Sequence, residues 1–298
     1  MKKQLFYGIG LLLAGCLGMM QAAGRQAPAA DLRIEGLRCE YATDPIGLDV
    51  RSPQFSWRTE SQRRGVLQSA YQIVVARSQE ELAQDNGVWN SGRIESSRST
   101  GIRYEGPALS SKERYYWKVR VWTTDGGQSD WSAAGSFEMG LLDEKDWVSD
   151  WIAYVPGKPG RIIYFKGTFC QQKEVEKARL YISGLGYYEM YINNRKVGDH
   201  VLDPAQSSYD KRVYYASYDV KDYLSQENVL LVAVAPGWYG MPKLRMQMEI
   251  AYTDGSATTL TANHLRAVTT GPTVYSTVFD GELYDARLEA PDIYKPFV

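Results

Sequence analysis

Five carboxyl groups stand in loop-like stretches of this sequence: Asp199, Asp203, Asp210, Glu282 and Asp285. Cleaving a glycosidic bond takes two such groups flanking it, roughly 5–9.5 Å apart. The chain carries 35 acidic side chains, and most loop carboxylates are solvated or cap turns, so the set alone assigns no reaction. A Ser-His-Asp arrangement would have to use His200 or His264, and neither is accompanied by a Gly-x-Ser-x-Gly elbow. Gly184-Leu185-Gly186 resembles a dinucleotide loop only superficially, because no βαβ unit follows it. Those glycines fit a tight strand connection instead. With two histidines and no Cys-x-x-Cys pair, no zinc site is expected. Calcium is conceivable from the Asp and Asn loops, but the EF-hand spacing is missing, so no cofactor is assigned.

Aromatic residues offer different chemistry. Trp238 and Tyr239 lie between Gly237 and Gly240, directly after an apolar run and before Pro242. Flanking glycines suit a loop that exposes or sharply redirects two rings. Aromatic faces stack on the C–H faces of sugars while amides and carboxylates take the hydroxyls. The same rings could instead anchor the end of a sandwich or pack on a neighbouring domain. In Asp280-Gly281-Glu282-Leu283-Tyr284-Asp285-Ala286-Arg287, Glu282, Asp285 and Arg287 are close enough in sequence for an ion network with bidentate geometry.

The elements that must position these groups are strands. Only Ser78–Gln84 reads as helical, and it is short. In the segment 114–122, Tyr115, Trp117, Val119 and Val121 share one face, expected to be buried, and Tyr116, Lys118, Arg120 and Trp122 share the other, expected to be wet. Asp125-Gly126-Gly127 turns the chain, and a final strand lies near Ser136–Met139. Residues 32–141 therefore predict a fibronectin III/immunoglobulin-like sandwich. Leu141 to Trp151 reads as a linker whose tryptophans pin an interface. In the second unit, residues 146–298, Tyr188, Met190 and Ile192 alternate with Tyr187, Glu189 and Tyr191. Asn193-Asn194 is a hairpin turn. Val229–Ala235 is apolar at every position, which predicts a central strand covered on both faces. Many short strands without crossover helices give an antiparallel sandwich of jelly-roll type, so the whole fold is all-β.

Basic and acidic residues number 34 and 35, a balance that argues against a nucleic-acid partner. Lys2, Lys3 and the short apolar run Leu5–Leu13 read as an export signal over residues 1–24, too short to span a bilayer. Leu13-Ala14-Gly15-Cys16 reads as a lipobox that would lipidate Cys16, and cleavage after Ala22-Ala23-Gly24 is the rival. Either route places the protein outside the cytoplasm of a bacterium, in the periplasm or on the outer membrane, with a lipid anchor as the one membrane link. Cys39 and Cys170 are expected to be apolar free thiols.

The run Ala178 to Asp199 resembles the N-terminal β-domain of bacterial α-L-rhamnosidases, glycoside hydrolase family 78. The resemblance continues through Leu202-Asp203-Pro204, Tyr209-Asp210-Lys211-Arg212-Val213, Pro236-Gly237-Trp238-Tyr239 and Gly281–Arg287. Upstream, Pro45-Ile46-Gly47-Leu48-Asp49 and Pro53-Gln54-Phe55-Ser56-Trp57 resemble that family's leading immunoglobulin- or fibronectin-like domain. The resemblance implies an exported enzyme that removes terminal α-L-rhamnose from plant polysaccharides or glycosides by inverting hydrolysis. It also implies that acid and base sit on a following (α/α)6 barrel, before which this sequence stops, so no catalytic residue carries over. The expectation is an accessory, substrate-recognition portion whose partners are a rhamnose-containing glycan and the catalytic domain. Trp238, Tyr239, Glu282, Asp285 and Arg287 are its candidate contact residues. Two alternatives stay open, a self-sufficient carbohydrate-binding surface protein and a spacer or protein-interaction module. A surface that normally meets a barrel should leave apolar residues exposed on the second unit.

Overall fold

The computed structural model describes residues 32–154, 160–268 and 271–289. The expected export segment, with Cys16, lies outside the described residues. Two β-sandwiches follow one another. The first holds β1 (Arg33–Cys39), β2 (Gln54–Glu60), β3 (Gln68–Ala76), the short helix α1 (Gln79–Ala83), β4 (Trp89–Asn90), β5 (Ile94–Glu95), β6 (Ile102–Arg103), β7 (Arg114–Thr123) and β8 (Gly135–Glu138). One sheet runs β1-β2-β6 and the other β4-β3-β7-β8, with β5 also paired to β3. Phe55 and Trp57 face Ile73, Val75, Trp117 and Val119 across the core. Ser78 caps α1 by accepting from the Glu81 amide, which is why the single α-helix among the described residues begins there.

The face of β7 expected to be wet is largely covered. Lys118 is buried there, and Val74, Ala76 and Leu82 form a second small core with Tyr116 and Trp131. Arg120 lies between the rings of Trp122 and Trp131, and Lys118 lies over Trp131 from the far side. Charged residues on that strand face did not mean water, because indole rings cover their stems and take their charge.

The second sandwich holds β9 (Ile152–Ala153), β10 (Ile163–Cys170), β11 (Val175–Leu185), β12 (Tyr187–Ile192), β13 (Arg195–Lys196), β14 (Ala216–Asp219), β15 (Glu227–Ala235), β16 (Lys243–Tyr252), β17 (Ala257–Thr261), β18 (Arg266–Val268), β19 (Thr273–Thr277) and β20 (Gly281–Tyr284). One sheet has the order β13-β12-β15-β10-β18, and the other β14-β11-β16-β17 with β9 on β16. Tyr188, Met190, Ile192, Leu230, Val232 and Val234 from the first sheet meet Leu180, Ile182, Met246, Met248 and Ile250 from the second. Each such side chain contributes roughly 1.5–3 kcal/mol relative to exposure. Asn193 and Asn194 both take positive φ, closing the β12–β13 hairpin as their side chains allow.

Glu138, at the end of β8, joins the two sandwiches. Its carboxylate accepts both Nε and Nη2 of Arg179 on β11, at 2.8 and 3.0 Å. Lys177 and Arg114 complete the cluster, and Arg179 also reaches Asp219. Burial pushes the Glu138 carboxyl up, but Arg179 and Lys177 outweigh it and hold the pKa below the ordinary range. In the linker, Trp147 meets Tyr215 edge to face while Arg245 lies over its other side. The tryptophan thus docks the linker onto the second sandwich. Cys39 is buried as expected, but Cys170, at the end of β10, is exposed. It sits where the strand runs out of the core into solvent.

Candidate functional site

β15 is central in its sheet, and its two faces differ. Toward the core it presents Leu230, Val232 and Val234. On the opposite, outer face it presents Leu231, Ala233 and Ala235. The strand register places Glu189 of β12 and Tyr164 of β10 on either side of Ala233. Tyr187 stands beside Ala235, and Tyr191 beside Leu231. Small side chains on the middle strand and large ones on both neighbours make this face concave. The hairpin β19–β20 lies over it, held where the Thr273 amide donates to the Tyr164 hydroxyl at 3.2 Å and the Ser276 amide donates to the Gly160 carbonyl. At the hairpin tip, Phe279 packs edge to face on Trp238, with ring centres 5.3 Å apart. The outer face of β15 is therefore apolar because it floors a groove, not because a second layer seals it.

The groove encloses about 690 Å3, within the ~300–1,000 Å3 of ligand sites. Its floor is Ile162, Leu231, Ala233 and Ala235, and five tyrosines, Tyr164, Tyr187, Tyr188, Tyr191 and Tyr284, line it. Three carboxylates line it: Glu189, Glu282 and Glu289. Glu189 accepts from the Tyr191 hydroxyl and from Lys196, each at 2.7 Å. Burial raises the Glu189 pKa, yet those two bonds more than compensate and leave it below the ordinary value. Glu282 accepts from Thr273, and Glu289 from Tyr284 at 2.6 Å. Apolar C–H surface, π faces and fixed acceptors in one trough are the chemistry that holds a sugar ring.

The sequence candidates fall unevenly around this groove. Glu282 lines it. Trp238 does not line it; it is half-exposed and packs on Phe279 at the hairpin tip. Tyr239 turns to Tyr209, while Lys243 lies over its ring and donates to its hydroxyl. Asp285 and Arg287 do not line the groove; they form an exposed bidentate pair, with Asp285 also capping the last turn of the described chain. The Arg287 guanidinium holds the Asp285 pKa down to about 2. Glu282 and this pair are not one network, because β20 ends between them.

Among the remaining acids, one oxygen of Asp203 accepts the Tyr188 and Tyr218 hydroxyls at 2.7 and 3.2 Å and lies beside His200 Nδ1. That carboxylate ties the 199–204 loop to β12 and β14, a structural use. Among the described residues no cluster of three His, Cys, Asp or Glu could hold a metal ion.

Glu189, Tyr191, Tyr164 and Glu289 were not candidates from sequence. The outward alternation of Tyr187, Glu189 and Tyr191 was visible, but not that alanines of a strand some 45 positions later lie beside them. On this unit Val201, Leu202, Phe279, Leu283 and Leu288 are exposed, Val201 and Leu202 among the groove's lining.

Residues 34–143 match the family model for the Rha78A-like N-terminal immunoglobulin domain, and residues 173–298 match that for the alpha-L-rhamnosidase N-terminal domain. A curated alpha-L-rhamnosidase of Formosa agariphila is 35% identical over 97% of this chain and 35% of its own length. One from Alteromonas sp. (strain LOR) is 32% identical over 84% of this chain and 30% of its own. Among solved structures, the alpha-L-rhamnosidase from Dictyoglumus thermophilum superposes with a TM-score of 0.84 at 33% identity, covering 87% of this chain and 32% of that one. The enzyme from Aspergillus terreus gives 0.77 at 32% identity, covering 88% and 32%. The chain spans about a third of the length of the curated relatives it matches most strongly.

Proposed function

The chain belongs to the α-L-rhamnosidase family through its two N-terminal domains, and from that premise we propose that it serves as the substrate-recognition portion of an exported α-L-rhamnosidase acting on rhamnose-containing glycans. On this reading residues 1–24 direct export, with Cys16 as the lipid anchor if the lipobox is used. Residues 32–141 position the second unit, and residues 146–298 carry the recognition groove. The observation that supports this role is the groove itself, with five tyrosines and three carboxylates over an apolar floor. Glu282 takes sugar hydroxyls, and Trp238, half-exposed against Phe279 at the hairpin tip, offers a ring face to the glycan. Tyr239 shapes the neighbouring loop through Tyr209, and Asp285 and Arg287 fix the base of the hairpin. None of these groups is assigned to bond cleavage.

The test is calorimetric titration of the chain with a neutral, rhamnose-terminated trisaccharide. Saturable binding that Trp238→Ala weakens about tenfold, the value of one stacked ring and its packing at ~1–1.5 kcal/mol, is the expected result. An absence of binding removes the recognition role. The alternative of a self-sufficient binding protein shares this result; what separates it is whether the same chain, with any in-frame extension, hydrolyses an aryl α-L-rhamnoside.

A further inference from the structure

The charges lining the groove are all of one sign. Glu189, Glu282 and Glu289 line it, and no Lys or Arg does. Three cations on the surrounding elements are engaged elsewhere. Lys196 of β13 is bound to Glu189 at 2.7 Å and neutralises that one carboxylate. Arg195 donates to the Asp222 carbonyl and lies over Tyr223. Arg287 is paired with Asp285 at 2.6 Å. Lys166, the next outward residue of β10 after Tyr164, is buried across from Leu231 and does not line the groove. Glu282 and Glu289 each accept from a hydroxyl through Oε1, from Thr273 and Tyr284 respectively. Each is an acceptor that a hydroxyl group fits and a second carboxylate does not.

We propose that this groove is a subsite for neutral sugar residues and discriminates against uronic acids. The proposal rests on the recognition role above and adds a rule of selection to it. A ring bearing only hydroxyl and methyl groups lays its C–H face on Ile162, Ala233 and Ala235 and donates hydroxyl protons to Glu282 and Glu289. A ring bearing a carboxylate must bring a like charge between those two and leave it without a cation. Between the dielectric of water and that of a protein surface, one such like charge a few ångströms away weakens affinity by roughly tenfold or more, and salt screens the effect. A cationic ligand is the weaker fit: Glu189 is already compensated, and the other two are oriented by hydroxyl donors as hydrogen-bond acceptors. A polysaccharide that alternates neutral and acidic sugars would place only its neutral residues here.

The experiment is calorimetric titration of the full chain with three probes of equal length: a neutral rhamnose trisaccharide, a rhamnose–galacturonate trisaccharide and a glucosamine trisaccharide. The expected result is binding of the neutral probe with the uronate probe at least tenfold weaker. The gap should narrow in a Glu282→Gln, Glu289→Gln double variant and in 0.5 M salt. Glu282 lies on the hairpin and Glu289 just after the turn that follows it, both exposed, so folding is not at stake, and an unchanged melting curve confirms it. Equal binding of neutral and uronate probes, or tighter binding of the glucosamine probe, overturns the charge rule while leaving recognition intact. Binding of none of the three overturns both. A gap that persists unchanged in the double variant also overturns it, because the discrimination would then come from shape.

Discussion

Glu138 has 1% of its side chain exposed and faces three cations, two of them on the other sandwich. A carboxylate so placed is stabilising only while it is ionised and paired. Its folded pKa lies below the unfolded one, so its contribution is fully present above the unfolded value and is lost as pH falls through the folded one. The melting temperature should therefore hold between pH 7 and pH 5 and fall below the ordinary carboxylate range near pH 4. Glu138→Gln leaves Arg179 buried with Asp219 as its remaining partner, and should cost about 3 kcal/mol at pH 7. Chemical denaturation at pH 7, and again at pH 3.5, checks both statements. If the variant and the parent differ as much at pH 3.5 as at pH 7, ionisation of Glu138 is not the source of the stability. The exposed Asp285–Arg287 pair is the control, since Arg287→Ala should leave the melting temperature unchanged.

At the scale of elements, the strands were legible because period-two alternation is local. Tyr115, Trp117, Val119 and Val121 are all buried in β7, and Leu244, Met246, Met248 and Ile250 in β16. The groove was not legible because it depends on lateral register: Glu189, Ala233 and Tyr164 are neighbours only after β12, β15 and β10 have paired. The opposite face of β7 was misread for a related reason, since Trp131 comes from a loop after the strand and covers it from outside. The Gly184-Leu185-Gly186 connection was read correctly as a tight turn between strands. Gly186 has φ of +107°, and a Cβ there would lie 1.9 Å from the Ala235 carbonyl oxygen. That carbonyl ends β15 where the chain enters the Trp238 loop. Gly186→Ala should destabilise by more than the ~1–3 kcal/mol of backbone strain alone and shift the loop under Trp238. Met248→Ala, in the same core but far from the loop, should cost about 2–5 kcal/mol without changing affinity for a neutral trisaccharide. Equal loss of affinity in both variants would show that global stability, not loop position, sets binding.

For the whole molecule, two hydrophobic cores are joined by polar contacts. Beyond the Glu138 cluster, Lys112 pairs with Glu249, Gln247 accepts from the Val148 amide, and the Leu141 amide donates to the Tyr215 hydroxyl. Such a junction couples the sandwiches strongly when its carboxylates are charged and weakly when they are not. Calorimetric scans should show one transition at pH 7 that splits in two once acid has protonated Glu138, and Glu138→Gln should show two already at pH 7. Two separate transitions in the parent at pH 7 would mean that the sandwiches are independent bodies. The class of fold and the order of the sandwiches could be taken from the linear pattern, but the junction could not. It joins Glu138 to Arg179, 41 positions apart, and nothing in their local sequences marks either as buried.

All eight tryptophans lie in described parts of the chain, and Trp238 is the one whose side chain is exposed, at 47%. The molecule consequently carries a built-in optical probe at the tip of the hairpin that overlies its trough. Indole emission from Trp238 should be the most red-shifted component of the spectrum and the first quenched by acrylamide. A ligand that stacks on this ring should shield it and move the emission to the blue, so occupancy can be followed by light alone, without a label.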